Sequence, residues 1–477
     1  MSTNVLIKKN DGGQASIAPE AVDGLRAQLR GVLALPGDEG YDKARTLWNA
    51  MIDRKPALIV RALGASDVMA AVNFARTNGL LVAIKGGGHN IAGNACCDGG
   101  LMIDLSQMKS VRVDAKAKRA RVEPGALLSD LDRETGAFGL ATPLGINSTT
   151  GVAGLTLGGG FGWTSRRFGL TVDNLVSADV VTADGKLVTA SESENADLFW
   201  AIRGGGGNFG VVTSFEFKLH PVPGVFAGLI AYPFEDAKAL FAKYRDFVAK
   251  APDELTVWVV LRKAPPLPFL PTAWHGKEIF AIAFCWSGDP AKGEAAIAPL
   301  RAFGTPIGEH MGAMPLAVWQ TTFDPLLAPG QRNYWKSHSY KTLTDDTVDA
   351  LITAVRKLPT DECETFVGHL GAAVNRQPID ATAYPHRDVD FILNIHTRWT
   401  SASQDKECIG WARELFDAAA KHATGGVYVN FMPEDETQRV KAGAYGANYE
   451  RLAKIKGKYD PENLFQMNHN IAPALVS

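Results

Sequence analysis

A histidine stands at the end of the run Lys85-Gly86-Gly87-Gly88-His89-Asn90, directly after the apolar stretch Leu80-Leu81-Val82-Ala83-Ile84. Three successive glycines carry no Cβ, so the chain can turn sharply and offer its N–H groups to a bulky anion. The imidazole of His89 then lies beside whatever those glycines cradle. Two further runs, Gly158-Gly159-Gly160-Phe161-Gly162 and Gly204-Gly205-Gly206-Gly207-Asn208-Phe209-Gly210, add side-chain-free surface. One large cofactor with a pyrophosphate accounts for all three. The spacing Gly205-x-Gly207-x-x-Gly210 matches GxGxxG, but a dinucleotide fold needs a helix after it, and Val211-Val212-Thr213-Ser214-Phe215 reads as strand. A second polar set lies on Asp390-Phe391-Ile392-Leu393-Asn394-Ile395-His396, where alternation puts Ile392, Asn394 and His396 on one face. His396 reads either as a polar contact or as a structural histidine. Trp335, in Asn333-Tyr334-Trp335-Lys336, and His369 are further candidates for a pocket wall, with Tyr334 and Trp335 equally readable as core aromatics.

The elements that must position these groups follow from periodicity. Helices are expected over 19–31 and 42–51, and a strand over 57–62. Ser66 is an expected N-cap for a helix reaching Asn78, which Gly79 is placed to end. With 80–84 as the next strand this is a parallel crossover unit, and the glycine turn falls at the carboxyl end of its second strand, where ligands gather in α/β sheets. Short strands follow at 101–105, 110–114 and 119–122. Segments 179–182 and 187–190 flank an Asp-Gly turn and form a hairpin. Val211 to Leu219 alternates like a half-buried strand, and His220-Pro221-Val222-Pro223-Gly224 ends it. Beyond it, strands at 256–261, 279–286 and 391–398 alternate with helices at 237–248, 346–357 and 406–419, an antiparallel sheet with helices on one face. Ala264-Pro265-Pro266-Leu267-Pro268-Phe269-Leu270-Pro271 is too proline-rich for a strand and reads as a stiff lid or a plain surface loop. The tail from Tyr445 to Ile471 is a helix followed by Lys458-Tyr459-Asp460-Pro461-Glu462-Asn463-Leu464-Phe465.

The totals narrow the class. A chain of 477 residues exceeds what one hydrophobic core usually supports, so two or three domains are expected. A net charge of -2 gives no reason to expect nucleic acid or an anionic membrane as partner. No secretory signal and no membrane span is read. Five cysteines fit neither a disulfide framework nor a zinc site. Cys96 and Cys97 read as a redox pair or as two reduced thiols on a loop, and the set points to a cytoplasmic setting. No metal is expected, since the ten histidines lack ligand spacing.

The ordered motifs from about Ala57 to Val222, returning over Tyr445 to Pro473, resemble the bacterial branch of the berberine-bridge-enzyme-like FAD-linked oxidases (the vanillyl-alcohol-oxidase, or PCMH-type FAD-binding, family). The resemblance implies an α+β fold. An FAD-binding domain would occupy 1–222, with its PCMH-type core at 57–222. An α+β substrate domain would follow at 223–425, and a C-terminal segment at 426–477 would return to the FAD domain. It implies a covalent bond from His89 to the flavin 8α-methyl group, with Lys85, Gly86, Gly87, Gly88 and Asn90 at the pyrophosphate. Ser106, Gly145, Asn147 and Thr149 become cofactor contacts. So do Gly151, Gly154, Leu155, Gly158, Asp173 and Asn174 of the second glycine motif, and Gly210 and Val212 near the adenine. Asn468 and Asn470 would bring the tail back to the ring. Thr156 matches a position that gates oxygen.

Two departures from the family pattern matter. The cysteine that gives many relatives a second covalent link is replaced by Asn147, and an amide cannot form that thioether, so a single link through His89 is expected. Removing a hydride from an alcohol or amine carbon leaves positive charge unless a proton also departs, and a positioned base helps. The resemblance makes Tyr445 the candidate base, provided nearby positive charge lowers its pKa. Where relatives have a second aromatic this chain has Ala444, and Tyr445 also reads as a packed tyrosine. Asn394 falls near the family's acid or glutamine, and His396 is the second polar contact. The expected activity is oxidation of a CH–OH or CH–NH group of a small, fairly apolar molecule. Hydride passes to flavin N5, and molecular oxygen is the acceptor. The alternatives are a dehydrogenase on the same fold and a non-catalytic flavin or ligand carrier. A monomer or homodimer is expected.

Overall fold

The computed structural model describes residues 4–474, which form an α+β fold of three main sheets. The first sheet holds the crossover unit. Leu58–Arg61 and Val82–Lys85 both pair in parallel with Leu101–Asp104, which lies between them, and Val32–Ala34 adds an antiparallel edge. These strands bury both faces, so they read as short unbroken apolar runs. The connecting helix, Ala65–Asn78, ends on Gly79 in the left-handed region at φ 62°. Its N-terminus differs from expectation: Gly64, not Ser66, occupies the cap, and no side chain caps it. The buried Asp67 instead accepts the backbone N–H groups of Arg30, Gly31 and Leu63.

The second sheet is wholly antiparallel, in the order Leu187–Ser191, Leu175–Val181, Val211–Lys218, Arg119–Val122, Val111–Asp114. The expected hairpin closes through Gly185 at φ 77°. The segment expected as a helix over 42–51 is helical only over Tyr41–Arg45; residues beyond it form a strap described below.

The third sheet has seven antiparallel strands, three of them anticipated (Leu255–Lys263, Glu278–Trp286, Phe391–Trp399). Val225–Pro233, Gly308–Met314, Arg332–Tyr340 and Glu364–His369 complete it. Alternation sorts its residues. Val257, Val259, Leu261, Leu393 and Ile395 join the core beneath the helices Ala237–Val248, Asp345–Val355 and Asp405–Ala418. The intervening Trp258, Arg262, Asn394 and His396 face the other way, Asn394 and His396 toward the glycine-rich segments. All five cysteines are buried free thiols. No helix is long and apolar enough to cross a membrane among the described residues.

Candidate active site

A cavity of about 260 Å³ opens where the three sheets meet. One wall is glycine turn and helix: Gly86, Gly87, Gly88 and His89, with Gly151, Gly154 and Leu155 on the short helix Val152–Leu157 and its cap. The two glycine segments touch so closely that a Cβ on Gly87 would lie 2.5 Å from the Gly151 Cα. Any side chain at either position would force them apart. At Gly154 the reverse holds, since a Cβ there would meet nothing within 4 Å. That open face, a turn of side-chain-free backbone beside it, and Gly206, Gly207, Gly210 and Val212 across the cavity leave room for a long, flat molecule with a diphosphate. The residues present fit FAD.

His89 ends this turn. Its ring stacks on Trp48 at a centroid distance of 4.2 Å, and its Nε2 is buried with no hydrogen-bond partner. Burial, helped by the neighbouring His396 ring, lowers its pKa to about 3. A neutral imidazole with a free ring nitrogen faces the cavity. Trp48 is held there by a strap over residues 46–52. Its N–H donates to Gly88 O at 3.1 Å and its indole N–H to Leu327 O at 2.9 Å. The neighbouring Asn49, 2% exposed, donates to Ile91 O and Asn333 O and accepts from Asn333 N.

The opposite wall is the inner face of the seven-stranded sheet. Asn394 is buried there with both amide atoms unpartnered. His396 Nε2 lies 3.2 Å from Asn333 Oδ1, and because Asn333 Nδ2 is engaged with Gln331 O, that contact assigns the His396 proton to Nε2. Nδ1 then faces Glu364 Oε1 at 3.4 Å. Glu364 also accepts from Arg262 at 2.6 Å. Burial pushes the Glu364 carboxyl up, but Arg262, His396 and Arg398 together outweigh that and hold it at about 2. Burial lowers the pKa of His396, with Glu364 opposing.

Several expected site residues reach the cavity: His89, Gly86, Gly87, Gly88, Asn90, Gly145, Asn147, Gly151, Gly154, Leu155, Gly210, Val212, Asn468, Tyr445, Asn394, His396 and Trp335. Others are placed elsewhere for local reasons. Lys85 is turned away, its Nζ donating to Ala44 O at 2.5 Å. The Thr149 hydroxyl donates to Asn147 Oδ1, and Thr150 lines the cavity instead. Thr156 sits on the buried side of its helix and donates back to Val152 O. Gly158 is packed against the Asn430 side chain. Asp173 forms a bidentate pair with Arg387, and Asn174 bonds His220 and two backbone carbonyls, so both brace a loop. Ser106 and Asn470 do not line the cavity; Ser106 N bonds Asp104 and the buried Asn470 Oδ1 has no partner. His369 falls on the helix-facing side of its strand, stacked on Phe391 and against Arg166.

Tyr445 reaches the cavity but lacks the activation expected of a base. Its hydroxyl donates to Gly205 O at 3.2 Å, and burial pushes its pKa up with no cation opposing. Sequence reasoning missed Trp48, Glu364, Phe366, Tyr428 and Asn430. Glu364 opens the β-rich run Glu364-Thr365-Phe366-Val367, but the acids Asp361 and Glu362 before it and Gly368 after it obscured that strand.

Comparison with known proteins agrees with this geometry. A model described as an FAD binding domain matches residues 56–191, and one described as berberine and berberine like matches 427–472. An FAD-linked oxidoreductase of Dictyostelium discoideum is 33% identical over 97% of this chain and 99% of its own length. An (R)-6-hydroxynicotine oxidase of Paenarthrobacter nicotinovorans is 30% identical over 93% of this chain and 97% of its own length. The crystal structure of 6-hydroxy-D-nicotine oxidase from Arthrobacter nicotinovorans superposes with a TM-score of 0.84 at 28% identity, covering 94% of this chain and 98% of that one. A chitooligosaccharide oxidase gives 0.84 at 25% identity, over 95% and 100%.

Proposed function

Because this chain belongs to the berberine-bridge-enzyme-like family of FAD-linked oxidoreductases, we propose that it is an oxidase that holds FAD covalently through His89 alone and oxidises a CH–OH or CH–NH carbon of a small, fairly apolar molecule, with dioxygen as acceptor. The observation that carries this reading is the His89 imidazole: neutral, unpartnered at Nε2, and clamped by Trp48 at the edge of the glycine-lined cavity. Relatives named as oxidases of a hydroxynicotine and of a chitooligosaccharide support the reaction class. The flavin, when bound, supplies the two-electron acceptor.

The remaining work falls to the sheet face. Asn394, with a free donor and a free acceptor, orients the substrate hydroxyl or amine. The proton leaving that group is taken up by the His396–Glu364 pair, whose Nδ1 and Oε1 lie 3.4 Å apart, and the ionised carboxylate stabilises the imidazolium that forms. Aromatic walls from Trp258, Trp335 and Phe366 exclude water.

Three measurements test the reading. Acid precipitation should give a yellow pellet from the native protein and a colourless one from His89→Ala. A panel of alcohols and amines should bleach the flavin without oxygen, and turnover in air should release hydrogen peroxide in step with substrate loss. Dye reduction without peroxide would make the protein a dehydrogenase.

A further inference from the structure

A second, smaller chamber of about 80 Å³ adjoins the first along the same sheet face. The two share Ile146, Trp258, Leu327, Glu364 and Phe366 as common walls. Its floor is the inner face of the sheet beyond Trp258, including Leu229, Ala231, Val260 and Ala281. Its roof is the proline-rich segment between the Leu255–Lys263 and Glu278–Trp286 strands, through Pro265, Leu267, Phe269 and Leu270. That roof is fixed rather than loose. Leu270 N donates to Leu267 O, Leu267 N to Pro265 O, and the His275 ring contacts Leu270 O at 3.1 Å.

We propose that this chamber is a binding subsite for an apolar appendage of the enzyme's own substrate, a short alkyl chain or hydrocarbon ring, while the reacting carbon lies in the larger cavity beside Asn394. The inference rests on the reading above and sharpens its substrate class. Continuity through the shared walls places an appendage within reach of the redox site. The chemistry of the walls selects what enters. The charged walls, Arg262 and Glu364, are satisfied by each other at 2.6 Å. A sugar ring would leave its hydroxyls desolvated and unpaired there, at a cost its apolar faces cannot offset. A hydrocarbon group meets aliphatic and aromatic surface on every side but that of the Arg262–Glu364 pair and gains by leaving water.

The test uses the purified holoenzyme and inert probes, n-alkylbenzenes from toluene to pentylbenzene, with binding read from quenching of tryptophan fluorescence, since Trp163 and Trp258 line the chamber. Affinity should rise about fourfold per methylene until the chamber fills. Ala281→Phe, which fills the chamber from a strand outside the catalytic machinery, should abolish the rise while leaving toluene affinity within about twofold; Ala231→Leu should blunt it. The matching 4-alkylbenzyl alcohols and amines should show the same pattern in kcat/KM. Affinity independent of chain length in the native enzyme, or an undiminished rise in both variants, would overturn the subsite. A chain-length rise in binding with no bleaching of flavin by any alcohol or amine would instead overturn the oxidase reading and leave the subsite standing.

Discussion

His396 and Glu364 show how burial and one neighbour divide chemical roles. Glu364 is held ionised by Arg262 together with His396 and Arg398, so it is too weak a base to take a proton itself but a good counter-charge. His396, with its pKa below that of free imidazole, is neutral at pH 7 and ready to accept one. The sign follows: only the neutral form works, so kcat/KM should fall on the acid side with a midpoint below 6.5 and stay flat above it. Glu364→Gln removes the group that supports the imidazolium, so the limb should move to still lower pH and the plateau should drop by about 10²-fold. A profile that keeps its midpoint in Glu364→Gln would remove the pair from the mechanism. Asn394→Ala should lower kcat/KM by about tenfold or more, read in the anaerobic rate of flavin bleaching. His89 and Asn394 were legible in the sequence because a glycine turn and a two-residue alternation each fix a direction. Whether Tyr445 is activated could not be read from the sequence, because activation depends on neighbours, and its hydroxyl meets a carbonyl in place of a cation.

At the scale of elements, the short helix Leu316–Gln320 docks on the helix Leu128–Gly136 through a single polar contact. Gln320 Nε2 donates to Asp132 Oδ2 at 3.1 Å and to Gly145 O at 2.8 Å. Asp132 is 4% exposed, and burial raises its pKa to about 7 from an unfolded value of 3.8. A carboxyl whose folded pKa is raised is most stabilising while protonated. Its contribution is full below about pH 3.8 and is lost as pH climbs through 7. Asp132→Asn should therefore raise stability by about 2–4 kcal/mol at pH 8 and by much less at pH 5, measured by denaturant unfolding. An equal gain at both values would contradict the assignment. The helix–strand order around residues 58–104 was readable because propensity and pattern agree there. The strand Gly308–Met314, with glycines at 308 and 312 and half-exposed, carries no such signal and exists because it pairs with Val225–Pro233.

At the scale of the molecule, the strap over 46–52 joins the glycine turn to the seven-stranded sheet. Trp48 bonds Gly88 of the turn, and Asn49 bonds Ile91 just past it and Asn333 of the sheet. Asn49→Ala leaves buried backbone groups unpaired and should cost about 2–3 kcal/mol. Its signature is early release of non-covalent FAD from the His89→Ala background on warming, ahead of global unfolding; coincident loss would place the strap outside the cofactor cradle.

The sequence by itself determined the local devices: the Cβ-free turn that ends on His89, the strand parity of Asn394 and His396, and the α+β succession of elements. These depend on interactions among residues close in the chain, where periodicity and glycine geometry leave few choices. Tertiary structure alone decided that Trp48 stacks on His89, that Glu364 faces His396 from an adjacent strand, and that His369, Thr156 and Asp173 are turned to structural bonds. Each outcome is set by which of two faces a distant segment covers, and packing makes that choice only when the sheets close on one another.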